Sequence, residues 1–194
     1  MKKIFLLIIL SLSCDDPFAT REPETPKTMQ SSWIQPTIPE YVIVNFQNAI
    51  KEQNKTNYLR CLADTSSAPL EFVFIAEPSV ANAHPTLFQH WTKESENIYI
   101  NQLLLYLDAD STFQLNLLPT QPTVYDQDKA IMVYDYALTI NHSNTETACP
   151  REMAGQCEFR LIQNQENQWS IYQWQDYATR AISTWSELKA YFGK

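Results

Sequence analysis

Glycine is almost absent from this sequence: Gly155 and Gly193 are its only two glycines in 194 residues. Phosphate-binding loops, dinucleotide-binding fingerprints and the Gly-x-Ser-x-Gly nucleophile elbow all need closely spaced glycines, so the sequence excludes these motifs. Positive charge is also scarce, with 14 Lys and Arg against 22 Asp and Glu and a formal net charge of −8. Because binding to a phosphate backbone depends on Lys and Arg, the composition argues against a nucleic-acid partner.

Metal-binding motifs are missing as well. His84, His90 and His142 are the only histidines, and neither Cys-x-x-Cys nor His-Glu-x-x-His occurs. Zinc sites built from such residues normally carry recognisable ligand spacing. We therefore predict no metal site and no cofactor, and we expect the three histidines to be exposed in loops or helices.

No apolar run at the N-terminus is long enough to cross a membrane, but this segment has the features of an export signal. Two lysines precede the short apolar run from Ile4 to Leu12, whereas a spanning helix needs about 20 apolar residues. A charged start followed by a short apolar middle is typical of a secretory signal. An ordinary cleaved signal and an uncleaved anchor are both compatible with this pattern.

The sequence Ser11-Leu12-Ser13-Cys14 resembles the lipobox of bacterial lipoproteins, although Ser11 stands where that family usually has leucine. The resemblance implies a lipoprotein signal peptide over residues 1–13 and lipidation of Cys14 by fatty chains such as palmitate. The chain would then be anchored to a membrane of the bacterial cell envelope, and both the inner and the outer membrane fit this sequence. The alternative is an incidental cysteine after an ordinary signal.

Residues 14–37 are predicted to form a flexible tether between the anchor and a folded domain. Four prolines lie here among Thr, Ser, Glu and Gln, with few large apolar residues. Such a composition is too polar to collapse and too rich in proline for a helix. The folded domain is therefore predicted to span residues 38–194.

Hydrophobic periodicity predicts helices in the first half of this domain. Apolar residues recur at spacings of three and four over residues 39–55, where Pro39 suits a first helical turn. A short second helix is predicted over residues 58–64 and a long one over residues 84–107. Between them, the β-rich run from Leu70 to Pro78 predicts one strand.

After Asp110 the apolar period changes to two, which predicts four successive strands separated by turn clusters. The longest turn cluster covers Asn141 to Gly155. Alternation along the second of these strands puts Tyr136 on an apolar face and Asp135 toward water. The turn clusters that directly connect the last three strands predict antiparallel hairpins.

A short C-terminal helix is predicted after the strands, because Thr184 and Glu187 have the spacing of a capping box. The order of elements predicts an α+β fold. In this fold, N-terminal helices pack against a curved antiparallel sheet and the short C-terminal helix follows.

Several local sequence features agree with one known fold. They are Phe46-x-x-Ala49, Tyr58-Leu59-x-Cys61-Leu62, Trp91 with Glu94, Trp169-x-Ile171-x-x-Trp174-x-Asp176, and Thr184-Trp185-x-x-Leu188-Lys189. Together with the order of elements, these features resemble a group of uncharacterised bacterial lipoproteins with the cone-shaped nuclear transport factor 2-like (NTF2-like) fold. The resemblance covers roughly Ile38 to Phe192. It implies a fold, and it implies no activity.

Enzymes of this fold, such as ketosteroid isomerases and polyketide cyclases, hold an acid–base group inside an apolar pocket that tunes its pKa. The candidate catalytic residues of this sequence are Asp176, Tyr172, Tyr58 and His90. Asp176 is the best candidate acid, because strand alternation places it on one face with Tyr172 and Trp174. The alternative is a structural role for Asp176, capping a turn or pairing with Arg160 or Arg180.

Three cysteines follow Cys14 in the chain. Cys149 and Cys157 bracket seven residues of the predicted long loop, and an exported chain meets an oxidising compartment, so we predict a disulfide between them. Cys61 lies on an apolar helix and is predicted to be a small buried hydrophobic residue and not a nucleophile.

The sequence favours a membrane-anchored cell-envelope lipoprotein whose single domain is a non-catalytic ligand-binding or protein-interaction module. Its predicted partners are the membrane, through lipid on Cys14, and a small apolar ligand, a second copy of the chain or an envelope protein. One alternative is a small cofactor-free isomerase, dehydratase or cyclase acting on a hydrophobic substrate in the cone. Another is a structural or assembly role through a sheet-mediated dimer or an envelope partner.

Overall fold

The computed structural model describes residues 31–66, 68–108, 110–146, 148–180 and 182–194. The predicted signal peptide, Cys14 and the predicted tether as far as residue 30 lie outside the described residues. In chain order the elements are α1 (Pro39–Lys51), α2 (Lys55–Arg60), β1 (Val73–Ile75), α3 (Pro78–Ala83), α4 (Pro85–Phe88), α5 (Lys93–Leu105), β2 (Phe113–Pro119), β3 (Val124–Asp126), β4 (Lys129–Ile140), β5 (Glu152–Gln163), β6 (Trp169–Tyr177) and α6 (Trp185–Phe192).

The N-terminal helix α1 forms where the periodicity predicts it. Pro39 occupies the start of the helix, where its missing N–H costs nothing. Val42, Phe46 and Ile50 lie on one face at helical spacing and are almost completely buried. This face packs α1 over the inner surface of the sheet.

The predicted long helix over residues 84–107 is two helices, α4 and α5. Thr92, between them, has an extended backbone and caps α5, and its N–H donates to the Ser95 hydroxyl oxygen (3.2 Å). Because an extended cap residue cannot continue a helix, the chain turns at this point. Helix α5 therefore starts at Lys93, separately from α4, and packs one face on the core through Glu96, Tyr99, Ile100 and Leu103. Among the described residues, none of the helices has both the length and the apolar character needed to cross a membrane.

The strands form one curved mixed sheet in the order β1-β6-β5-β4-β2, and β3 also pairs with β4. The predicted antiparallel arrangement holds for β2, β4, β5 and β6. The edge strand β1 differs, because it runs parallel to β6 with Val73 opposite Gln173. The helices cover the inner, concave face of this sheet.

Strand β5 begins at Glu152, so Gly155 lies inside a strand and not in the predicted loop from Asn141 to Gly155. Gly155 is opposite Tyr136 of β4. A Cβ atom there would lie 2.4 Å from the Tyr177 carbonyl oxygen and 2.9 Å from the Tyr136 hydroxyl. Glycine at this position lets the Tyr136 side chain cross over the neighbouring strand toward the core.

Residues 31–37, assigned to the tether by composition, are held against the domain. Asn45 of α1 accepts from the Ile34 N–H (2.8 Å) and donates back to the Ile34 carbonyl (2.6 Å). The Arg60 guanidinium lies 3.9 Å from the centre of the Trp33 ring. The packed unit therefore begins at Ser31 instead of residue 38.

Candidate functional site

Asp176 lies near the end of β6 and is completely buried. One carboxylate oxygen, Oδ1, accepts a hydrogen bond from the Tyr136 hydroxyl (2.8 Å). The other, Oδ2, accepts from the backbone N–H (2.7 Å) and the hydroxyl (2.5 Å) of Ser186 in the first turn of α6. A negative charge at a helix N-terminus is electrostatically favourable. Asp176 therefore caps the N-terminus of α6. This is a structural role, which the sequence had left open as the alternative to catalysis.

The protonation of this network follows from its burial. Burial raises the pKa of Asp176, while hydrogen bonds from Ser186 and Tyr136 oppose the shift. Burial and the nearby Asp176 carboxylate raise the pKa of Tyr136 far above its ordinary value, so Tyr136 keeps its proton. The Tyr136 hydroxyl oxygen also accepts from the Trp185 N–H (2.8 Å). Asp176 and Tyr136 are thus both hydrogen-bonded to groups that fix α6 on the sheet.

A second buried polar centre, which the sequence analysis missed, lies between α5 and α6. Glu96 of α5 and Lys189 of α6 form an ion pair in which both side chains are 0% exposed. Glu96 Oε1 accepts from the Trp91 indole N–H (2.8 Å) and from Lys189 Nζ. Glu96 Oε2 accepts from the Tyr58 hydroxyl (2.8 Å). The predicted candidate Tyr58 therefore belongs to this centre and not to the Asp176 network.

Four aromatic rings surround the Lys189 amine. Nζ lies 4.0 Å from the ring centres of both Phe74 and Trp174, 4.9 Å from Tyr99 and 5.2 Å from Trp91. Ring faces attract a cation, but complete removal from water favours the uncharged amine. The net effect of burial is to lower the pKa of Lys189 well below its ordinary value.

The predicted candidates Tyr172 and His90 lie elsewhere. A β-bulge in β6 pairs Ile171 with Leu161 but Gln173 with Arg160, which leaves Tyr172 as the extra residue. The bulge reverses the alternation, so Tyr172 packs in a small separate cluster while Asp176 faces the core. The prediction that Tyr172 and Asp176 share a face was therefore wrong. His90 is exposed beside Trp91, and the four candidates do not converge on one site.

The described cysteines Cys61, Cys149 and Cys157 are all free and buried, so the predicted disulfide between Cys149 and Cys157 is wrong. Cys157 lies five residues into β5, and a strand rises about 3.3 Å per residue. Cys157 is opposite Tyr134 of β4, six residues before that strand ends at Ile140, whereas Cys149 lies beside His142, after that end. The two cysteines are therefore further apart than the Cα distance of about 7 Å that a disulfide can bridge. The Cys149 sulfur instead lies 3.4 Å from His142 Nε2, and His142 is buried, contrary to the prediction that it is exposed.

An open cleft lies at the surface of the domain. A cleft of about 650 Å³ separates the segment after α2 from the turn between β5 and β6; we call it the β5–β6 cleft. Its polar lining residues are Thr65, Ser66, Asp128, Gln163, Asn164, Gln165 and Glu166. Within the described part of the chain, no three His, Cys, Asp or Glu side chains are grouped to hold a metal ion.

No family model matches this chain, and no curated protein matches it. Solved structures do match. A conserved protein from Planctomyces limnophilus DSM 3776 is 11% identical with a TM-score of 0.55, over 72% of this chain and 91% of that chain. A ketosteroid isomerase-like protein from Erwinia carotovora atroseptica SCRI1043 is 12% identical with a TM-score of 0.51, over 73% of this chain and 93% of that chain. The described domain has the NTF2-like fold. At such low identity, the likeness shows the fold alone.

The interior of this NTF2-like cone is filled by aromatic side chains. Trp174 packs edge to face against Trp185, with ring centres 4.5 Å apart, and against Phe46 at 5.6 Å. Phe46 also stacks on Tyr58 at 5.1 Å. These distances are those of direct aromatic contact. The volume in which an enzyme of this fold would hold a substrate is therefore occupied by the protein's own rings.

Proposed function

We propose that this chain is a cell-envelope lipoprotein whose NTF2-like domain is a non-catalytic ligand-binding or protein-interaction module. The observation that carries the proposal is the filled cone. Asp176 and Tyr58, the two inward-facing candidates, are at most 1% exposed, and each is hydrogen-bonded within the protein. A general acid or base has to reach the proton that it transfers. Neither group has space beside it for a substrate, which argues against the isomerase, dehydratase or cyclase alternative.

Ligand binding is better supported at the β5–β6 cleft than inside the cone. Its volume of about 650 Å³ is within the range of small-molecule sites. Its lining side chains carry hydroxyl, amide and carboxylate groups, which can donate and accept hydrogen bonds. The ligand class that fits this lining is rich in hydroxyl and amide groups, as carbohydrates are. The apolar ligand predicted from the sequence would need a pocket inside the cone, and the aromatic side chains of the core fill that space.

Titration calorimetry with soluble chito-oligosaccharides, which carry hydroxyl and N-acetyl groups, tests this site. We expect binding to the detergent-extracted full-length chain and a roughly tenfold weaker affinity for the Asp128→Ala/Gln165→Ala variant, because a lost ligand hydrogen bond costs about 1.4 kcal/mol. Gln114→Ala, at an exposed position of β2, is the matched control and should bind like the wild type. Equal affinities for the cleft variant and the wild type would contradict the proposal.

The anchoring part of the proposal is supported by the sequence of the first 30 residues. It contains the short apolar run, the lipobox-like Ser11-Leu12-Ser13-Cys14 and three prolines after it. A proline-rich segment between Cys14 and Ser31 is suited to separate a lipid anchor from a folded domain. The net charge of −8 disfavours contact between the domain and an anionic lipid surface.

Replacing the lipidated residue tests this anchor. We expect Cys14→Ala to move the protein from the membrane fraction to the soluble fraction, because the fatty chains supply the membrane affinity. The matched control, Cys149→Ala, removes a buried thiol of the domain and should leave the protein in the membrane fraction. Unchanged membrane retention of Cys14→Ala, with no acyl mass on the wild-type peptide, would overturn the lipoprotein proposal.

A further inference from the structure

The contact between Lys189 and Glu96 has no part in the proposed function, although it joins an amine to a carboxyl group. The two residues are 93 positions apart in the chain, on α6 and α5, and both side chains are 0% exposed. Lys189 Nζ touches Glu96 Oε1 directly. An amine held against a carboxyl group is positioned for acyl transfer, because orientation replaces a bimolecular encounter.

The surroundings make a permanent ion pair costly. The charged amine has three N–H groups, and Glu96 is its one hydrogen-bond partner among the described residues. The other directions face rings, with Phe74 and Trp174 nearest. Taking two charges out of water costs several kcal/mol per ion unless further hydrogen bonds compensate. Burial also lowers the pKa of Lys189, which favours the uncharged, nucleophilic amine.

The carboxyl group is held by two hydrogen-bond donors. The Trp91 indole N–H donates to Oε1 (2.8 Å), where it would stabilise negative charge that develops when the amine attacks the carboxyl carbon. The Tyr58 hydroxyl donates to Oε2 (2.8 Å), and burial raises the pKa of Tyr58, so this donor stays protonated. Donation to Oε2 makes that oxygen the better leaving group.

We propose that Lys189 and Glu96 condense to an amide, which forms an isopeptide cross-link between α5 and α6. A proton first passes from the amine to the carboxylate, giving a neutral amine and a neutral carboxylic acid. The bond from Nζ to the carboxyl carbon then forms, the bond from that carbon to Oε2 breaks, and Nζ gives up a second proton. Oε2 leaves as water with both protons, and nothing is oxidised or reduced.

The product suits this site better than the reactants do. An amide carries no charge, so the cost of burying two ions disappears. Its carbonyl oxygen, the former Oε1, keeps the hydrogen bond from Trp91. Hydrolysis back to the acid and the amine requires water at a carbon atom enclosed by buried rings. The cross-link would tie the last helix to the centre of the core.

Peptide mapping of the denatured full-length chain tests the proposal. Trypsin cleaves after Lys93, Lys129 and Arg180 and does not cleave at an acylated lysine. We therefore expect one branched peptide that joins residues 94–129 to residues 181–194. Its mass should equal the sum of the two segments minus one water molecule, and its fragmentation should place the linkage at Glu96 and Lys189.

Two variants make the result specific. Lys189→Met should give the 94–129 peptide unlinked, and this holds even if the variant folds poorly, since the map is recorded on denatured protein. Lys93→Met is the matched control, because Lys93 pairs with Asp64 at the surface (3.4 Å). It should keep the cross-link, now in a branched peptide that joins residues 61–129 to residues 181–194, since the cleavage site after Lys93 is lost. Cleavage of the wild-type chain after Lys189, with an unmodified 94–129 peptide, would overturn the cross-link.

Discussion

Replacing Lys189 by methionine is expected to lower the free energy of unfolding by about 3–5 kcal/mol. Methionine has a similar length and suits an aromatic environment, so the expected loss comes from leaving the Glu96 carboxyl group without its partner and not from a cavity. The variant leaves the Glu96 carboxyl group buried without the amine, among rings that repel an anion. Urea unfolding of the wild type and the variant, monitored by tryptophan fluorescence, measures this difference.

Two further variants identify the cause of this loss. Lys93→Met removes the same chemical group from a partly exposed pair with Asp64 and should change the free energy of unfolding by less than about 1 kcal/mol. Lys189→Met combined with Glu96→Gln should recover part of the loss, because no unpaired charge remains in the core. If Lys189→Met alone is as stable as the wild type, the Glu96–Lys189 centre contributes nothing to the free energy of unfolding.

The sequence predicted those elements whose signals are local. The helical spacing of α1, the period-two strands and the capping box of α6 are each contained in a few consecutive residues, and the structure has all three. The parallel pairing of β1 with β6 has no local signal. These strands are almost 100 residues apart, and only three residues of β1 form the ladder. Pairing between such distant segments depends on the packed core, which periodicity does not describe.

Strand alternation identified half of the candidate site. It correctly placed Tyr136 on an inward face, and Asp176 is also inward. It failed at Tyr172, because one extra residue in β6 reverses the faces on either side of the bulge. A bulge changes the register without a consistent sequence marker. The Asp176 network could therefore be predicted only in part, as two inward polar groups with no known partner.

The Glu96–Lys189 centre was missed because charged residues on helices usually face water. One signal was available in α6. Trp185, Leu188, Ala190 and Phe192 surround Lys189 on several sides of the helix, and all four are buried. A helix that is apolar on most of its circumference is typical of a buried helix. Lys189 in such a helix indicates a buried charge that needs a partner, although the sequence does not identify Glu96 as that partner.

The pH dependence of stability should differ between the wild type and Asp176→Asn. Burial raises the pKa of Asp176 in the folded protein above the value of about 3.9 for an unfolded chain. The folded state therefore binds this proton more tightly than the unfolded state. The stabilisation from proton binding is complete below the unfolded pKa and is lost as the pH rises through the folded pKa, with a slope of up to about 1.4 kcal/mol per pH unit.

Subtracting the free energy of unfolding of Asp176→Asn from that of the wild type at each pH isolates this contribution, since asparagine does not titrate. We expect the difference to fall as the pH rises from 4 and then to become constant. Asp64→Asn is the control with the opposite sign, because hydrogen bonds from Ser66 lower the pKa of Asp64 and its contribution is lost as the pH falls. The difference in the free energy of unfolding between the wild type and Asp176→Asn could instead stay constant or rise with pH. That result would show that hydrogen bonds from Ser186 and Tyr136 fully offset the cost of burying the carboxylate. In that case the hydrogen bonds that cap α6 would outweigh the cost of burying the charge.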